Sequence, residues 1–181
     1  MGKLIFGMNQ SLDGYVDGAS GQLELPPPSA RLFDHWVEHV RGIAGSLYGR
    51  RMYEVMRYWD HDDPDWSEPR RAFAAAWRAQ PKWVVSNTLS AVGPNATLVT
   101  GDIEAQVRQI KARTPGTLSV AGPEIAGYVG NLGLIDEYHL YLHPHVLGGG
   151  KPFFHGARPS LRFVSSEMVD DVTVRLVYAR A

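Results

Sequence analysis

The stretch Ile135–Phe154, IDEYHLYLHPHVLGGGKPFF, constrains this chain more than any other. Tyr138, His139, Leu140, Tyr141 and Leu142 alternate as a strand; Pro144 breaks it, and Gly148, Gly149 and Gly150 follow. β-Propensity carries such a strand, while successive glycines permit turns and close backbone approaches that side chains would obstruct. Two other strands are followed by similar breaks, at Gly49-Arg50 and at Ala121-Gly122-Pro123. Three such junctions predict a ligand held at the ends of sheet strands.

At 181 residues the chain can bury one sizeable core and matches the size of one domain, residues 1–181. Its net charge of -1 lacks the basic excess of a nucleic-acid surface, and Lys and Arg form no extended stripe. Cysteine is absent, which removes disulfides, a thiol nucleophile and a Cys-based zinc site, and fits a reducing cytoplasm. Asn9, Gln10 and Asp13 interrupt the first apolar run before a signal-peptide core forms, and no run approaches a membrane span. The opening Met-Gly reads as a start rather than a lipidation signal, because Phe6 stands where Ser or Thr is required.

Along the chain, Lys3–Met8 predicts a buried strand, and 11–18 a loop with two Asp-Gly turns. Ser29 is placed to cap a helix whose stripe is Leu32, Phe33, Trp36, Val37 and Val40. Strands are expected at 43–48, 82–86, 97–100 and 118–120, and helices at 52–56, 71–80 and 125–132. A further helix follows Gly101-Asp102, with Ile103, Val107 and Ile110 inward. Residues 57–70 read as a surface excursion, and 161–167 with 172–178 as an antiparallel hairpin through Asp170-Asp171. The fold class is α/β: a mixed, mostly parallel sheet with an antiparallel C-terminal edge.

Gly49 with Arg50 and Arg51, and Gly122 with Pro123 and Glu124, are the candidate phosphate sites: a helix starting after glycine presents free amides, and guanidinium adds charge. Pro123 suits a first helical position and has no amide to offer. Ser86, Asn87 and Thr88 place short polar groups at another strand end. Asp34 and Glu38 lie four apart on the first helix, where both could face a cleft. Two metal readings are weak. Asp60-His61-Asp62-Asp63-Asp65 is a loop cluster without a preformed cage, and His139, His143 and His145 spread over about 13 Å of strand, so no metal is assigned.

Five pieces stand in order along the chain: Ser11-Leu12-Asp13-Gly14, Gly49-Arg50 before Met52-Tyr53-Glu54, Val85-Ser86-Asn87-Thr88-Leu89, Ala121-Gly122-Pro123-Glu124, and Gly133-Leu134-Ile135-Asp136-Glu137 running on through Pro144 and Gly148-Gly149-Gly150 to Phe153-Phe154. In this order they resemble the dihydrofolate reductase-like family that includes the C-terminal reductase domain of bacterial riboflavin-biosynthesis enzymes. The resemblance spans nearly the whole chain. It implies a three-layer dihydrofolate reductase-like fold, NADPH across the strand ends, and hydride transfer to a small heterocyclic or ribosylaminopyrimidine-like substrate. It puts Gly49, Arg50 and Arg51 beside the cofactor phosphates; Ser86, Asn87 and Thr88 by the adenosine ribose and its phosphate; and Gly122, Pro123 and Glu124 at the pyrophosphate turn. Ala121 departs from the double glycine common in such proteins.

Asp34 becomes the candidate catalytic carboxylate, by analogy with the acid that folate enzymes carry on their first helix, with Glu38 as its alternate. Asn9 and Asp13 are candidates for the nicotinamide and substrate side, and Lys151 for a substrate phosphate. A homodimer through the late hairpin and a cytoplasmic location are expected. A reductase of a pterin-like or carbonyl compound, and a non-catalytic nucleotide-binding sensor or assembly protein, are the alternatives.

Overall fold

The computed structural model describes residues 2–20 and 25–181; Met1 of the opening dipeptide lies outside them. The chain runs β1 (Lys3–Ser11), β2 (Tyr15–Asp17), α1 (Ala30–Gly42), β3 (Gly45–Gly49), α2 (Arg50–Met56), a 3-10 turn (Arg57–Asp60) and α3 (Glu68–Ala79). It continues through β4 (Lys82–Val85), β5 (Ala96–Val99), α4 (Ile103–Arg113), β6 (Thr117–Ala121) and α5 (Pro123–Asn131). It ends with β7 (Glu137–His143), β8 (Lys151–Pro152), β9 (Leu161–Met168) and β10 (Val174–Arg180).

Eight strands form one sheet in the order β5-β4-β3-β6-β1-β7-β10-β9. Pairings from β5 to β7 are parallel, whereas β10 lies antiparallel to both β7 and β9. The mixed sheet and antiparallel hairpin are therefore as expected. Neighbouring residues on a strand point to opposite faces. Leu47 thus joins Leu4, Phe6, Val120 and Tyr138 in a core with Val107 of α4 and Val129 of α5. Tyr48 joins Val84 in another with Val37 of α1 and Trp77 of α3. These two cores separate the three layers.

The ends of α1 and β10 are set by one carboxylate. Ser29 Oγ accepts from Leu32 N (3.1 Å), capping α1, and donates to Asp170 Oδ2 at 2.5 Å. Asp170 Oδ1 also accepts from the amides of Val172 (3.0 Å) and Thr173 (2.6 Å), so β10 begins two residues later than its sequence pattern indicates. Burial alone would raise this carboxyl; hydrogen bonds, that from Ser29 foremost, hold it well below the usual carboxylate range.

Two short features escape the sequence pattern. β2 and β8 pair antiparallel inside what reads as loop, because strands of three and two residues carry no periodicity. The excursion at 57–70 is packed rather than merely superficial: Trp66 is buried, donates to Tyr58 Oη at 2.9 Å and lies against Trp59, whose ring packs, tilted, on Phe73 of α3. Among the described residues, no helix is long and apolar enough to cross a membrane.

Candidate active site

The parallel strands carry their C-terminal ends to one side of the molecule. There Tyr48 pairs with Ala121 and Gly49 with Val85, so the ends of β3, β6 and β4 adjoin. Gly122 caps α5 with φ +107, a backbone conformation that side chains resist, and an added Cβ would stand 3.2 Å from Met52 Cβ. The first amides of α5 beyond Pro123 open onto this junction. Arg50 and Arg51 start α2 here; Arg50 reaches Glu54 (3.2 Å) and Arg51 reaches Glu124 (3.2 Å). Lys151 also reaches Glu124, at 2.7 Å, so one carboxylate sits between two cations. The hydrogen bond from Lys151 holds Glu124 below its ordinary value. Ser86 Oγ accepts from the amides of Thr88 and Leu89, both at 3.1 Å, which shapes the polar end of β4.

Asp13 serves as a latch. Its carboxylate accepts from Leu147 N (3.1 Å) and Gly148 N (2.7 Å), tying the glycine run to the loop after β1. Gly150 then passes so close to β2 that a Cβ would fall 2.0 Å from Asp17 O. Gly150 is thus required for chain packing, whereas a Cβ at Gly148 or Gly149 would meet open space, and Lys151 follows beside α5.

The second half of the site lies under α1. Asn9, Tyr141 and Arg175 form one row across β1, β7 and β10. His139 and His143 share the face of Tyr141, as their alternation predicts. From α1, His35 Nε2 lies 2.9 Å from Tyr141 Oη and the Trp36 ring packs 4.6 Å from the Tyr141 ring. Arg175 pairs with Glu167 at 2.9 Å. Among the described residues, the buried side-chain polar atoms without a partner are Asn9 Oδ1, Trp36 Nε1, His139 Nδ1, His143 Nε2, Thr173 Oγ1 and Arg175 Nε. All belong to β1, β7, α1, β10 or the residue preceding β10. Such atoms are costly unless water or a ligand satisfies them.

Electrostatics on this side favour neutral imidazoles. Burial, then the Arg175 charge, lowers His35; burial, with His35 and His139 nearby, pushes His39 down to about 4. Burial raises the Tyr141 phenol, against a hydrogen bond from Arg175.

Asp34 and Glu38 are elsewhere. Both are exposed and line a shallow depression between α1 and α3 with Glu68 and Arg41, and Glu38 pairs with Arg41 at 2.8 Å. A helix turns about 100° per residue, so the position facing Tyr141 belongs to His35, one residue along. Asn9 is brought to the site; Asp34 and Glu38 are not. His35, Tyr141 and Arg175 were missed as a unit, although His35 and His39 stand four apart and β7 reads His-x-Tyr-x-His.

The sequence matches the RibD C-terminal domain family over residues 2–174. The chain belongs to this family. A curated relative, the uncharacterized protein YyaP of Bacillus subtilis strain 168, is 27% identical over 97% of this chain and 94% of its own. Among solved structures, a putative riboflavin biosynthesis protein from Shewanella sp. PV-4 superposes with TM-score 0.74 and 26% identity, covering 99% of each chain. A dihydrofolate reductase from Enterococcus faecalis, complexed with NADP(H), shares the fold at TM-score 0.63 and 16% identity over 98% of this chain and 96% of that one.

Proposed function

We propose that this protein is an NADPH-dependent reductase of a small heterocyclic compound. The observation that carries the reading is the set of unsatisfied buried polar atoms under α1, next to the open strand ends. Phe6 pairs with Val120, so Met8 and Asn9 extend along β1 to the level of Gly122 and Pro123. A ligand lying across that boundary would meet phosphate-suited groups on one side and ring-suited groups on the other.

The residues present fit the cofactor. Gly122 puts no side chain over the start of α5, which has no side-chain cap, and the Arg51 side chain is 69% exposed, in an ion pair that a phosphate can replace. We assign Gly49, Arg50, Arg51, Gly122, Pro123 and Glu124 to the phosphates and Ser86, Asn87 and Thr88 to the adenosine ribose side. Lys151 joins them by displacement from Glu124. Bound NADPH supplies the hydride; the protein binds, orients and excludes water. Asn9 orients the ring side and Asp13 acts by holding the glycine loop. Asp34 and Glu38, on the outer side of α1, retain only a peripheral substrate-binding role.

Family membership favours a ribosylaminopyrimidine-like substrate, with pterin-like and carbonyl compounds as the enzyme alternatives. A non-catalytic nucleotide sensor is the second reading, favoured by the exposure of Asp34. We also assign a homodimer to the free β9 edge, where Phe163 and Met168 are more than half exposed.

Titration calorimetry with NADPH and NADH tests the reading. Low-micromolar NADPH binding with weaker NADH binding is the expected result. Folded protein that binds neither at about 1 mM (some 4 kcal/mol) sinks it.

A further inference from the structure

We propose that β9 pairs antiparallel with the β9 of a second copy of this chain, about a two-fold axis between Val164 and Ser165, so that the partner's Arg162 stands against Glu167 and prolongs the polar row of the candidate site into the other subunit. This register rests on the homodimer assigned above and does not depend on the cofactor.

The sheet ends unequally. At one edge β5 has four residues, and none of its large apolar side chains is exposed. At the other, β9 has eight, open along nearly its whole length, with Phe163 and Met168 more than half exposed and Val164 exposed beside them. Such an edge pairs with another strand unless something covers it. Phe163 already stands edge-on against Tyr178, ring centres 5.8 Å apart. A second copy is the fitting partner because β9 is complementary to itself, in the faces its residues take and in charge.

Residues directly opposite in an antiparallel pair share a face. Arg162, Ser165 and Glu167 lie opposite Ala179, Val177 and Arg175 of β10, on the face toward α1. Leu161, Phe163, Ser166 and Met168 lie opposite Arg180, Tyr178, Leu176 and Val174, on the other face. The bulge at Val164 is decisive: it brings Arg162 and Glu167, five apart, to one face, where an unbroken strand would separate them.

A two-fold axis perpendicular to the sheet preserves each residue's face, so the register must match faces. About the point between Val164 and Ser165, Leu161 meets the partner's Met168, Arg162 the partner's Glu167 and Phe163 the partner's Ser166, each pair on a common face. A slip of one residue sets Arg162 against the partner's Ser166 or Met168, on the wrong face. A slip of two either leaves Glu167 and Met168 beyond the overlap or opposes Ser165 to the partner's Ser166 across faces. Arg162 and Glu167 also answer to β10 residues four apart, so their backbone amides point the same way, as an opposed pair requires.

Charge agrees with this register. Among the described residues Arg162 has no ion pair, whereas the half-exposed Glu167 carboxylate holds Arg175 at 2.9 Å and has room for a second cation. The two-fold makes that contact twice. The row Asn9, Tyr141, Arg175 and Glu167 then runs on to the partner's Arg162, and the two Phe163 rings meet diagonally across the axis.

The chain has no cysteine, so introduced thiols report alone. Opposed Cα atoms stand about 4.5–5.5 Å apart, within disulfide reach, whereas positions 162 and 167 of one chain are about 14 Å apart. Mild oxidation of Arg162→Cys/Glu167→Cys should give a covalent dimer on a non-reducing gel, and either single variant none. Phe163→Cys/Ser166→Cys, which keeps both charges, should cross-link as well. In sedimentation velocity at about 20 μM the wild type should be dimeric, and Arg162→Glu, which opposes like charges twice, should weaken dimerisation about 100-fold. A dimer that neither double variant cross-links overturns the register and leaves the homodimer standing. Arg162→Glu that dimerises as tightly as the wild type overturns the charge pairing, and a wild type still monomeric at about 200 μM overturns register and homodimer together. None of these measurements uses NADPH, so a failure to bind it strikes the reductase reading alone.

Discussion

The strands β1, β7 and β10 present two unlike faces from one backbone. Toward α5, Phe6, Tyr138 and Leu140 build an apolar layer with Val129 and Phe153. Toward α1, the alternate positions hold Asn9, His139, Tyr141, His143 and Arg175, several with unmatched polar atoms. Both faces are largely shielded from water, so exposure does not distinguish them. The first face is apolar and the second leaves buried polar atoms without partners. That difference teaches where this fold places stability and where it accepts strain in its hydrogen bonding.

The largest expected effect compares neighbours on β1. Phe6 is 1% exposed, and Phe6→Ala should cost about 3–5 kcal/mol through lost burial and a cavity. Asn9→Ala should change stability by less than about 1 kcal/mol, because Asn9 Oδ1 has no partner to lose. Urea denaturation of both variants checks the pair. Equal destabilisation would mean the two faces share one structural role.

Next comes the clamp that holds α1 over the polar face. Asp170→Ala removes the acceptor for Ser29, Val172 and Thr173 and should cost about 2–3 kcal/mol. The folded carboxyl is held below its unfolded value, so its contribution is complete above pH about 4 and is lost as pH falls below that. Acid denaturation should therefore be shallower in Asp170→Asn than in the wild type; curves of the same steepness would place the acid sensitivity elsewhere.

The buried lysines sharpen the contrast between layers. Lys111, on the α4 side, donates to Asp136 Oδ2 (2.6 Å) and Leu134 O (2.7 Å). Among the described residues Lys82, beneath α3, donates to carbonyls, chiefly Gln80 O at 2.8 Å, and has the Trp77 ring 4.3 Å away. Burial pushes Lys82 down to about 8, against the pull of the Asp60 charge. Its folded value is thus below the unfolded one near 10.5, so the charged form is penalised below pH 8 and the penalty fades as pH rises from 8 to 10.5. Wild-type stability should climb across that window. Lys82→Met should be more stable at pH 7, by about 1 kcal/mol after allowance for solvent screening, and flat across it. A wild-type curve that does not rise would show that carbonyls and the Trp77 face compensate the charge fully.

The apolar face was the more legible one. Its residues repeat every second position on strands, and on helices as stripes, so Leu4, Phe6, Val107 and Val129 declare themselves by periodicity. The strand-end glycines were legible because glycine marks such demands: Gly122 has φ +107, and a Cβ on Gly150 would fall 2.0 Å from Asp17 O. The polar face was not. On the first helix the sequence singles out Asp34, whereas the residue across from Tyr141 is His35, since helix phase cannot be set to one residue without knowing the facing strand. His35 becomes visible only when Tyr141 lies across from it. Arg175 needed the β10 register, which depends on the turn fixed by Asp170.

The smallest expected effect concerns the latch that separates the two halves of the site. Asp13 is solvent-facing, and the hydrogen bond from Ser11, with the amides of Leu147 and Gly148, holds its carboxyl below the ordinary value. Its bonds fix a loop rather than a core, so Asp13→Ala should leave global unfolding unchanged within error while local opening becomes easier. Hydrogen exchange at the Gly148 amide should accelerate by about tenfold, with the amides of β1 unaffected. NADPH binding should weaken modestly in the same variant, since Lys151 follows directly from the glycine run. If Gly148 exchange stays slow, the loop is held by Gly150 against Asp17 instead, and the glycine run is self-supporting. If exchange quickens without any change in NADPH affinity, the latch orders the loop for packing alone, and the polar face under α1 does not depend on it.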